Sequence, residues 1–173
     1  MNHPNRNRAF SLAEVIIAAG LFAVSVTVVL ALLPALARQG GEATDSQSAC
    51  GLPDALRAEL TRIGATGFDA LAAQVPVLSG ATGDGMKFAA NRGATRLHSL
   101  DYQPPASGPL PVGEQYFLVE CWRFPDEPLQ FAAGKGFLAV MVRVSWPYRL
   151  PGTSAPAPVA SRHEMLFTVA LNR

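Results

Sequence analysis

The residues best suited to catalysis or metal binding are three histidines and two cysteines, and their spacing argues against both. His3, His98 and His163 lie far apart, and neither an H-E-x-x-H nor a C-x-x-C pair occurs. Cys50 and Cys121 are too few for a four-cysteine zinc site or a disulfide-dense scaffold. Gly80 to Gly85 is glycine-rich, but no Lys-Ser/Thr and no helical pattern follow it, so it reads as a loop and not a phosphate cradle. Asp126 and Glu127, set between Pro125 and Pro128, read as solvated carboxylates in a turn. No nucleophile elbow is present. The expectation is a non-enzymatic chain with no metal and no cofactor. The net charge of +1 over 173 residues gives no general grip on nucleic acid, so none is expected as a partner.

One ionisable residue is out of place. Phe10 to Ala37 is apolar throughout except for Ser11, Ser25, Thr27 and a single charge, Glu14. As a helix this run is about 42 Å long, more than a bilayer core requires. Arg6 and Arg8 precede it and only Arg38 follows closely, which places the N-terminus in the cytoplasm by the positive-inside rule. Without residues 1–9 the formal charge falls to −1, so the slight basicity belongs to the leader. Ala35-Leu36-Ala37 matches a signal-peptidase site, but the apolar run is much longer than a secretory h-region. A plain membrane anchor accounts for the length and leaves Glu14 unexplained, because a carboxylate inside an apolar helix is costly.

The stretch Arg8-Ala9-Phe10-Ser11-Leu12-Ala13-Glu14-Val15, with its short basic leader and long apolar helix, closely resembles the N-terminal signature of type IV pilins and type II secretion pseudopilins. The resemblance covers residues 6–37. It implies cleavage between Ala9 and Phe10 by a prepilin peptidase on the cytoplasmic side, and methylation of the new Phe10 amine by the same enzyme. It makes Glu14 the acidic assembly position. Ala9 stands where the family nearly always has Gly, and Ala13 where a branched aliphatic is commoner. The implied partners are that peptidase and methylase, other pilin or pseudopilin subunits, the inner-membrane assembly platform, and the inner membrane before assembly. The physics suits the arrangement: the Phe10 amine of one subunit and Glu14 of the next are each costly in a low-dielectric bundle and much less so together. Such a pair would also fix axial register. Pro34 is tolerable near the end of a membrane helix as a kink, and Gly20 offers a small surface for helix contact.

Beyond the run, Gln39-Gly40-Gly41 is an interruption, Glu42 to Cys50 is polar enough to continue the helix, and Gly51-Leu52-Pro53 predicts a break. Leu52, Leu56, Leu60 and Ile63 then form the stripe of an amphipathic helix ending near Gly64, and Phe68 to Gln74 suits a short further helix. Period-two alternation follows. Leu138, Val140, Val142, Val144 and Trp146 share one strand face, as do Met165, Phe167, Val169 and Leu171. Tyr116 to Phe124 is a third strand, with Met86 to Ala90 and Thr95 to Leu100 weaker ones. Proline-rich connections without helix-length crossovers make the pairing antiparallel. Cys121 alternates with Trp122, so one of the two faces the core. A buried free thiol and a Cys50–Cys121 disulfide both remain open.

The sequence thus predicts an α+β, pilin-like fold: leader 1–9, transmembrane and assembly helix 10–38, and a head of 39–173 with an antiparallel sheet. The expected location is the inner membrane, single-pass, with a periplasmic head, and afterwards a pilus or pseudopilus. The expected function is that of a structural subunit, minor pilin or pseudopilin. The alternatives are an exported or membrane-anchored periplasmic binding module and an anchored enzyme, for which no site is visible.

Overall fold

The computed structural model describes residues 11–65, 67–78, 85–101 and 110–173. The layout is α+β: a 53-residue helix α1 (Leu12–Gly64), a short helix α2 (Phe68–Gln74), and strands β1 (Met86–Ala90), β2 (Leu97–Ser99), β3 (Phe117–Arg123), β4 (Phe137–Trp146) and β5 (His163–Asn172). The strands form one antiparallel sheet in the order β2-β1-β3-β4-β5. By contacts the chain divides into two compact units, one ending at Thr44 and the other running from Asp45 to Arg173.

The break predicted at Gly51-Leu52-Pro53 is absent. So is any interruption at Gly40-Gly41 or Pro34, because α1 stays helical through all of them. Pro53 lacks the N–H that would reach the carbonyl of Ala49, a local loss that tertiary packing offsets. The buried positions of α1 are Asp45, Ala49, Leu52, Leu56 and Leu60, spaced three or four apart and so on one face. That face joins the core with Phe88, Phe117, Val119, Val140, Val142 and Val144. Starting a new helix at Pro53 would rotate the stripe away from its partners. Leu56→Ala-type losses in such a core are about 2–5 kcal/mol, comparable to what an interior proline costs.

Register explains the core. Met86, Cys121, Val142 and Phe167 lie side by side across four strands, and Phe88, Val119, Val144 and Met165 form the next row. The odd residues of β3 and β5 and the even residues of β4 therefore share the inner face. On the outer face Lys87, Glu120, Arg143 and Leu166 form a row. Glu120, 5% exposed, accepts a hydrogen bond from Arg143 Nη2 at 2.7 Å. Trp122, also on the outer face, lies under the Arg143 guanidinium, 5.2 Å from the ring centroid. Gly85 lies close beneath it: a Cβ there would sit 2.7 Å from the indole.

Both thiols are free. Cys121 is buried on the inner face, and its Sγ approaches the carbonyl of Met86 at 3.5 Å. Burial pushes its pKa up to about 12. Cys50 follows the buried Ala49 by one residue, about 100° around the helix, and is exposed. The Cys50–Cys121 disulfide weighed from sequence is thus not formed.

A polar latch closes the first turn of the stripe. Asp45 is 5% exposed and accepts hydrogen bonds from Arg92 Nε at 2.7 Å, Arg92 Nη2 at 3.0 Å and the Tyr116 hydroxyl at 2.6 Å. Burial pushes the Asp45 carboxyl up, but the hydrogen bonds from Arg92 and Tyr116, with the charge of Arg92, outweigh it and hold the group below its ordinary 3.8. Burial, and then donation to Asp45, raises Tyr116 to about 12.

Two outcomes follow. Residues 45–173 should remain soluble and unfold cooperatively in a single calorimetric transition, because stripe and sheet supply one core; a truncated chain without a transition would refute this. Asp45→Asn should lose about 1–3 kcal/mol at neutral pH by denaturant titration. Because the folded pKa is depressed, the carboxylate's contribution is complete above the unfolded value and fades as pH falls below about 4. The variant's stability should therefore change less than wild type's over that acid range.

Candidate functional site

The first turn of α1 is built by side chains and not by propensity alone. Ser11 precedes Leu12 as the N-cap, and its Oγ accepts the backbone N–H of Glu14 at 3.3 Å. Glu14 Oε2 in return accepts the backbone N–H of Ser11 at 2.9 Å and its hydroxyl at 3.1 Å. This is a capping box, Ser-x-x-Glu, satisfying helix-end donors from both directions. Both hydrogen bonds accepted by the Glu14 carboxylate end on Oε2. Oε1 has no partner among the described residues. A carboxylate fixed at a helix N-terminus with one free oxygen is an acceptor for a cation or an amine. The capping box was legible in the four residues Ser11 to Glu14, although attention fell on Glu14 for its isolation in the apolar run and for the resemblance. Ala9 and Phe10, the residues of the expected cut, lie outside the described residues.

From Leu12 onward the helix is apolar on every side. Leu12, Ile16, Ile17, Leu21, Phe22 and Val24 are all more than half exposed. The polar residues within this stretch cancel themselves: Ser25 donates to the carbonyl of Leu21 and Thr27 to that of Ala23, each at 2.8 Å. Leu12 to Ala37 spans about 39 Å as a helix, against about 30 Å of bilayer hydrocarbon. The helix is therefore long and apolar enough to cross a membrane. Exposed apolar surface of this extent demands lipid or protein contact. A Cβ at Gly20 would meet nothing within 4 Å, so nothing in the described residues requires glycine there.

The other residues weighed from sequence are not brought together. His163 opens β5 and stacks on Trp146, with ring centroids 5.8 Å apart. His98 lies on β2. Glu127 accepts from Lys135 Nζ at 3.0 Å. Among the described residues no group of three or more His, Cys, Asp or Glu is placed to hold a metal ion. Most of the loop Gly80–Gly85 falls outside them. Of the residues weighed from sequence, Glu14 stands in a defined geometry at the start of an exposed apolar helix. No protein-family model matches the chain, and searches among curated proteins and solved structures return no match.

Proposed function

We propose that the chain is a pilin-like structural subunit, a minor pilin or pseudopilin, without enzymatic activity. A prepilin peptidase would cut it between Ala9 and Phe10 and methylate Phe10. It would then leave the inner membrane for a type IV pilus or type II secretion pseudopilus through its apolar helix, contacting the assembly platform and neighbouring subunits. The N-terminus would be cytoplasmic and the head periplasmic before assembly. The observation that carries this reading is Glu14, the lone ionisable residue between Phe10 and Ala37, four residues after Phe10. Its capping geometry supports the reading, because Oε1, without a partner among the described residues, is the oxygen that would receive the Phe10 amine of an adjacent subunit. In a plain membrane anchor the acid would serve only to cap the helix start, a task that needs no leader cut at Phe10.

Mass spectrometry of the membrane-extracted protein should find N-methylated Phe10 as the first residue. Arg38 as the first residue would favour signal-peptidase export, and an intact Met1 a plain anchor.

Glu14→Gln is the discriminating variant, since the amide oxygen still accepts the Ser11 N–H and keeps the helix start while the charge is lost. Crosslinking to partner subunits should fall by about a hundredfold, with leader removal and membrane level unchanged. Glu14→Ala should show the same defect and Glu14→Asp a lesser one. Normal assembly by Glu14→Gln would remove charge pairing from the mechanism.

A further inference from the structure

The head holds a cleft that subunit assembly through the helix does not use. It has a volume of about 500 Å³ and lies between the turn joining β1 to β2, the 3-10 turn Val112–Glu114 and the segment after β4. Its walls are tied by backbone hydrogen bonds: the N–H of Tyr116 donates to Ala90 at 2.9 Å, and the N–H of Tyr148 donates to Tyr116 at 2.6 Å. Volumes of this size are usual for small-ligand sites.

Two guanidinium groups line it, and both are oriented from behind. Arg92 is held through Nε and Nη2 by the buried Asp45, and its guanidinium stacks over Tyr116, 5.1 Å from the ring centroid. Arg149 is held through Nε, which donates to Gln115 Oε1 at 3.0 Å. Gln115 is itself buried and fixed, because its Nε2 donates to the carbonyl of Leu110 at 3.0 Å. The Nη groups of Arg149 and Nη1 of Arg92 have no hydrogen-bond partner among the described residues. Two held guanidinium groups with unpaired Nη atoms on one cleft make a preorganised acceptor for an anion.

We propose that this cleft binds a small carboxylate, such as a peptide C-terminus or a small hydroxy acid. The free guanidinium N–H groups of Arg92 and Arg149 receive the carboxylate oxygens. The charges of Arg92, Arg149, Asp45 and Glu114 cancel formally. Binding therefore rests on directed N–H groups and not on a basic field, which suits a monoanion better than phosphate.

The test uses the full chain in detergent micelles, with N-acetylglycine, glycolate, the neutral N-acetylglycinamide and inorganic phosphate as probes, followed by amide NMR. N-acetylglycine or glycolate should saturate with a Kd of about 1–10 mM and shift the amides of Gly93 and Gly113. The tighter of the two identifies the source, peptide terminus or free acid. Arg149→Gln should weaken binding at least about tenfold, and Arg149→Lys should fall between, since it keeps charge without the fork. Glu114→Gln, exposed and without a protein partner among the described residues, should leave the fold intact and tighten binding about two- to threefold. It decides the matter should Arg149→Gln disturb the fold. No saturation by either acid, equal binding of the neutral amide, tighter binding of phosphate, or unchanged affinity in both Arg149→Gln and Glu114→Gln would overturn the proposal.

Discussion

The packing of one helix stripe against one sheet face is the interaction on which the head depends. Ala49, Leu52, Leu56 and Leu60 fill the layer above the rows Met86–Cys121–Val142 and Phe88–Val119–Val144. A five-stranded antiparallel sheet with an uncovered apolar face would not persist in water, and a twenty-residue helix alone would be marginal. Each therefore supplies what the other lacks. The stripe also explains why α1 is not broken where its sequence invites it. Gly51 and Pro53 are local penalties, whereas rotation of the stripe would expose several large side chains at once.

The same helix meets two sets of requirements along its length. From Val15 to Ala37 it is apolar on all sides, and the hydroxyls of Ser25 and Thr27 bond back to its own carbonyls. After Asp45 it is apolar on one side, and Asp54, Arg57, Glu59 and Arg62 occupy the others. The buried stripe begins where the latch of Asp45, Arg92 and Tyr116 sits. A buried acid is tolerable there because three donor atoms surround it.

Much of this was legible from residue types. The strands β4 and β5 follow from period-two alternation, β3 from its aromatic and β-branched residues, and α2 from its short apolar run before Pro76, because side-chain burial itself selects those residues. The continuity of α1 was not legible. Glycine and proline are read locally, and the packing that overrules them comes from strands about a hundred residues away. The free state of the two thiols was similarly hidden, since it depends on which way Cys50 points around the helix. At the helix start the Ser11–Glu14 box was readable, and it fixes the acid that the leader and Phe10 had already singled out. The Arg92–Arg149 cleft had no signature, because its lining comes from three connections with no common period. Asp45 gave no sign of burial either, lying in a polar stretch whose only distinction is its spacing from Ala49.

The unbroken helix has a mechanical meaning. From Asp45 to Gly64 the chain keeps one helical course, so tension that enters at Asp45 meets the whole stripe without first stretching a hinge at Gly51. There it is shared among interlocked side chains and the Asp45 latch, which must slip together and not peel one after another. Resistance to forced extraction is governed by the unfolding rate and not by equilibrium stability. A joint loaded in parallel raises that barrier more than the same contacts loaded in series. A break at Gly51 would have turned a rod into a tether.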